Sequence, residues 1–176
     1  MILKKLLPAV ALLLCSAASS GAQQQQERCT LKVENAPELR GFRLGMTVNQ
    51  FKARFPGVVI SDAEFGMQGA HVAKKDGEGL EGISRIGFEF VDGRLTAFQA
   101  NYANSINWDS QEQFTERVGE SLKLPKAWQG GDTMICDGFT ITAGINSISM
   151  VDASGRRLVE QRRRERDEKA RQGFRP

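Results

Sequence analysis

Histidine is nearly absent from this chain: His71 is the only one in 176 residues. That removes the common zinc site built on paired histidines. It also leaves any serine or cysteine nucleophile a single candidate base, and His71 has no acid or nucleophile near it in sequence. Ser-x-x-Lys, Gly-x-Ser-x-Gly, Cys-x-x-Cys, His-Glu-x-x-His and phosphate-loop motifs are missing as well. "GEGLEG", Gly77 to Gly82, has the letters of a dinucleotide-binding loop, but a strand follows it and Glu78 and Glu81 would repel pyrophosphate. With Asp76 these carboxylates lack the oxygen-rich spacing of a calcium loop. The expectation is therefore a non-enzymatic protein with no catalytic, cofactor-binding or metal-binding residues; the alternative is a hydrolase whose distant residues escape a motif search.

Long apolar runs are also lacking. The longest, Leu6 to Leu14, is too short to span a bilayer. It follows Lys4 and Lys5 and precedes small residues, the layout of a secretory signal over residues 1–22, with Ser20 and Ala22 fitting cleavage after Ala22. Acylation of Cys15 would make a lipoprotein, but Leu14 is bulky where such signals place Gly, Ala or Ser. The expected location is periplasmic or secreted.

Of the three cysteines, cleavage removes Cys15 and leaves Cys29 and Cys136. In an exported chain such a pair reads as a disulfide tying the mature N-terminus to a late strand. Charge is unevenly divided. Residues 23–155 hold 13 basic and 17 acidic groups, net −4, whereas 156–176 hold 9 and 4, net +5.

In "RGFRLGMTVNQFKARFPG" Thr47 caps a helix, Gln50 completes a capping box, Val48, Phe51 and Phe55 share one face, and Pro56-Gly57 ends it. Sixty-three residues later the pattern recurs: Thr47-x-x-Gln50-Phe51-x-x-Arg54-Phe55 against Ser110-x-x-Gln113-Phe114-x-x-Arg117-Val118. Residues 30–44 read as an extended entry, and the segment after the first helix as a long loop with a short strand at 71–73. "ISRIGFEFVDGRLTAFQANY" reads as a hairpin turning at Asp92-Gly93; Leu95 and Phe98 break strict alternation, which predicts a bulge or burial of both faces. "MICDGFTITAG" reads as a second hairpin with Phe139, Ile141 and Ala143 on one face, and "ISMVDASGRRLVEQ" as a third. The fold class is α+β: two tandem helix-then-antiparallel-strands units, about 40–105 and 106–160 within a 23–160 domain, their helices packed on one antiparallel sheet, followed by a charged tail at 161–176.

"GMTVNQF" and "IGFEFVDGRLTAF" together resemble the signature of the small outer-membrane-assembly lipoproteins and the related β-lactamase-inhibitor-like domains. There a Gly-Met-Thr-x-x-Gln helix start precedes strands ending Phe-x-x-Gly-x-Leu-Thr. The matching residues are Gly45, Met46, Thr47 and Gln50, then Phe90, Gly93, Leu95 and Thr96. The resemblance covers residues 42–98 and, more weakly, 107–160. It implies a helix layer on an antiparallel sheet, an envelope location, and work done by binding an envelope protein, either as a scaffolding module or as an inhibitor of an extracellular or periplasmic enzyme.

The tail has almost no apolar residue between Val159 and Phe174, so it cannot bury itself in a core. It reads as a solvated helix or disordered end, and Arg162, Arg163, Arg164 and Arg166 are its candidate contacts to anionic lipid or cell-wall polymer. Nucleic acid is not an expected partner, since Phe174 is the tail's single stacking aromatic.

Overall fold

Thr47 starts the first helix as its hydroxyl dictates. Its Oγ1 accepts the Gln50 N–H at 3.2 Å, while Gln50 Oε1 accepts the Thr47 N–H at 2.9 Å. The computed structural model describes residues 28–63, 65–73, 80–103 and 108–174. Within them α1 is Val48–Arg54 and α2 Gln111–Ser121. The strands are β1 (Met67–Ala73), β2 (Ile83–Val91), β3 (Arg94–Tyr102), β4 (Thr133–Ile135), β5 (Phe139–Gly144) and β6 (Ser147–Asp152), and α3 runs over Ala153–Gly173. All six strands form one antiparallel sheet in the order β1-β2-β3-β6-β5-β4. An α+β fold with helices on an antiparallel sheet is thus present.

α1 and α2 cover one face, where Phe88, Phe90, Leu95, Phe98, Ile141, Ile148 and Met150 are buried. Phe51 of α1 meets Phe88 and Phe90 with ring centroids 4.8 and 5.3 Å apart, and Phe42 meets Phe88 at 4.6 Å. Phe114 of α2 lies against Tyr102 and Trp108 at 5.5 and 5.4 Å. Each buried ring contributes on the order of 2–3 kcal/mol through area removed from water. The Asp92-Gly93 turn has the two positive φ values, 50° and 73°, that match the twist of a two-residue hairpin. The expected bulge is in β3: Glu89 pairs with Ala97 and Phe90 with Leu95, so Thr96 is the extra residue and both Leu95 and Phe98 point to the core. Phe139, Ile141 and Ala143 share the buried face as expected. Cys29 and Cys136 form a disulfide with Cα atoms 4.7 Å apart, inside the usual range. Beside it Asp137 N–H donates to the Leu31 carbonyl at 2.9 Å, so the entry segment lies along the end of β4.

Three expectations are corrected. The 71–73 strand begins at Met67 and pairs with β2 along its whole length; Gly66 and Gly69 hide it by breaking the apolar alternation. The 30–44 segment is not merely extended: Arg40 and Gly41 make a tight turn at φ 53° and 86°, and Leu39, Phe42 and Leu44 are buried around it. "ISMVDASGRRLVEQ" is not a hairpin. Asp152 closes β6 and caps α3, its Oδ1 accepting from Ser154 N–H at 2.7 Å and Gly155 N–H at 3.3 Å, so the chain leaves the sheet as helix and passes through the 160/161 boundary without a break. Asp76 and Glu78 of the candidate calcium loop lie outside the described residues. No helix among the described residues is long and apolar enough to cross a membrane.

Candidate functional site

Side chains alternate along each strand, so the residues that do not feed the core line the sheet's other face. The pairing registers arrange them in rows across the strands. Gly69, Glu89, Ala97, Val151, Thr140 and Ile135 form the first; His71, Gly87, Gln99, Ser149, Thr142 and Thr133 the second; Ala73, Arg85, Asn101, Ser147 and Gly144 the third. The middle row has no purely aliphatic, phenyl or indole side chain and no carboxylate. Its members are half-buried or exposed, as are those of the third row.

α3 runs beside the part of the first row formed by Glu89, Ala97 and Val151. It leaves β6 at Asp152, passes β3 where Gly155 sits buried on the Thr96 side chain, and reaches the β2–β3 turn and the approach to β1. There Arg162 donates to Asp92 Oδ1 and Oδ2 at 2.9 and 2.6 Å and to the Phe65 carbonyl at 2.7 Å. This fork-to-carboxylate clasp holds the Asp92 carboxyl below its ordinary pKa, chiefly through the hydrogen bond from Arg162 and secondarily through its charge, and raises that of Arg162. Beyond Arg163 every described residue except Arg166 is exposed, so about 15 Å of helix stands in solvent. Helix and sheet together bound a groove of about 660 Å³.

The four arginines expected to contact anionic partners are not one patch. Arg162 is committed to Asp92 and Phe65, Arg163 lines the groove, Arg164 is exposed, and Arg166 pairs with the adjacent Asp167 at 3.0 Å. Groove lining by Arg85, Gln99, Asn101 and Ser149 was not foreseen, because it depends on β3 pairing with β6 across the centre of the sheet. His71 is exposed on β1, on this face. Among the described residues no group of three or more His, Cys, Asp or Glu side chains could hold a metal ion.

A second hollow, of about 700 Å³, lies beside α2 against Tyr102, Trp108 and Phe114. Burial pushes the Tyr102 phenol pKa up, outweighing the charge of Arg40. Glu38 and Glu120 balance Arg40 and Arg117 around it, so it favours neither sign.

Comparisons of this chain with family models, with curated proteins and with solved structures found no match.

Proposed function

We propose that the chain is an exported, non-enzymatic protein-binding or scaffolding module of the bacterial envelope, made of two tandem units, and that the outer sheet face is its binding surface. The observation that carries this reading is the middle row. Across six strands it offers three hydroxyls, an amide, an imidazole and a bare glycine, beside a helix that walls one side of the groove. Such a surface provides hydrogen-bond donors and acceptors, and its imidazole stands three strands from Ser149, about 14 Å at the backbone and too far for a nucleophile–base pair, so it suits recognition rather than turnover. The strand order supports the tandem reading, since each capped helix precedes three consecutive strands and β3 meets β6 at the join. The disulfide and the signal-like first 22 residues support export, to the periplasm or outside the cell. The resemblance to assembly lipoproteins and inhibitor-like domains points the same way.

The test is capture of envelope proteins on the mature chain and on Ser149→Trp, which places a large ring in the middle of the row. The reading expects a specific captured protein to be lost with Ser149→Trp while its circular dichroism stays unchanged. Equal capture by both chains would remove the outer face as the binding surface.

A further inference from the structure

We propose that the hollow over Gly87 is a carboxylate subsite that takes an aspartate or glutamate side chain from the polypeptide lying on the outer face. The proposal rests on reading that face as a protein-binding surface. The registers place His71 and Gln99 on either side of Gly87, and Arg85 one pair-step along β2 with Asn101 opposite it. Gly87 leaves the floor between these four side chains bare. A Cβ there would meet His71 Nδ1 at 3.3 Å and Cε1 at 3.4 Å, so the imidazole rests against Gly87 and forms one wall of the hollow. Diagonal neighbours across an antiparallel pair are about 7–8 Å apart at the backbone, within reach of long side chains converging on one small group.

The four side chains are mainly donors. Guanidinium offers a planar fork matched to a carboxylate, imidazole a ring N–H, and the two amides further N–H groups. Gln99 Nε2 donates to Asn101 Oδ1 at 3.3 Å, which leaves the Asn101 amide N–H groups for a ligand. Arg85 is exposed and makes no salt bridge among the described residues.

The groove's own carboxylates lie toward α3: Glu160 is engaged by Arg156 at 3.4 Å, and Glu89 is exposed in the first row, on the side of Gly87 away from Arg85, with Arg163 also lining that end of the groove. Among the described residues lining the groove, three arginines stand against two glutamates, a net positive charge, and Arg85 lies on the opposite side of Gly87 from Glu89. An acidic side chain therefore complements this end of the groove, and a basic one would be repelled by Arg85.

His71 is the chain's only histidine, so its imidazole resonances report on the hollow without assignment of other residues. The full mature chain is titrated at neutral pH and low salt with the capped pentapeptide Ser-Gly-Asp-Gly-Ser and with its Asp→Asn analogue. The Asp peptide is expected to shift the His71 signals saturably, with about tenfold weaker binding in Arg85→Gln, as for loss of a charge-assisted hydrogen bond. Added salt is expected to weaken it further. Gln99→Glu, which puts a negative group at the hollow, should abolish the shift. Equal shifts from both peptides, no shift from either, or undiminished binding by Arg85→Gln and Gln99→Glu would each overturn the proposal. Should Ser149→Trp abolish capture of the partner while Arg85→Gln leaves it intact, the binding face survives and the carboxylate subsite does not.

Discussion

The half of the sheet under α1 and the half under α2 reach the same strand arrangement by different means. Under α1, Phe51 touches Phe42, Phe55, Phe88 and Phe90, and every one of those rings is buried. Under α2, Phe114 meets the half-buried Tyr102 and Trp108, and the strands there are shorter. The caps diverge too. Gln50 returns to its own cap amide, whereas Gln113 Oε1 accepts the N–H of Asp109, one residue before the cap, at 3.0 Å. What the second half lacks in rings is supplied by Cys29–Cys136, which fixes the chain at the end of β4. A shared pattern of caps and anchors thus sets where elements lie, while packing decides how strongly each is held.

The largest effect that could break this comparison comes from its anchors. Phe51→Ala is expected to cost about 5 kcal/mol and Phe114→Ala about 3, the spread reflecting how fully each ring is enclosed. Urea denaturation of both variants measures it, and a reversed order would mean that ring contacts do not set the difference. Next is the staple: Cys136→Ser should cost about 4.7 kcal/mol, for a closed loop of roughly a hundred residues in the chain-entropy treatment. If the loss were below about 1 kcal/mol, the second half would have to be held by its packing alone.

Gly155→Ala is a smaller change with a clear cause. A Cβ there collides with the Thr96 side chain at the bulge, so the start of α3 must lift off the sheet. A cost of about 2 kcal/mol is expected, despite alanine's better helix propensity. No destabilisation in thermal unfolding would show that α3 does not depend on this contact.

The smallest effects sharpen the role of α3. Deleting 164–176 should change stability by less than about 0.5 kcal/mol, because its described residues, Arg166 apart, are exposed. Deleting 161–176 also removes the Arg162 clasp and should cost measurably more. Because Arg162 lowers the Asp92 pKa from its ordinary 3.8, the clasp contributes above that value and its contribution is lost as pH falls through the lowered one. The gap between the two deletions should therefore close in strong acid and narrow in high salt. An unchanged gap would assign it to packing by the helix stem.

Local chemistry made much of the fold legible. Thr47, Ser110, Asp92-Gly93 and the Cys29/Cys136 pair each act through neighbours or through a compartment, and the broken alternation at Leu95 and Phe98 announced the bulge at Thr96. The misreading at Asp152 has a physical reason. Asp-Ala-Ser-Gly suits a turn as well as a helix cap, and only the presence of Thr96 beneath Gly155 explains a glycine in the first turn of α3. The outer face of the sheet was the least visible. Gln99 and Ser149 are fifty residues apart and become neighbours only through the β3–β6 register. Small polar residues on strands look like ordinary solvent exposure until the rows are laid side by side.

The entry segment held beside β4 also has a bearing on self-association. An edge strand is a template for a second chain, and here Leu31 and Lys32 lie where such a chain would dock, pinned by Cys29 while Ile135 on the same strand is 53% exposed. Reduction would free that guard, leaving an uncovered ladder with an aliphatic side chain on its flank. The disulfide then protects colloidal behaviour as much as fold stability, and reduced protein should scatter light at concentrations where the oxidised chain stays monodisperse.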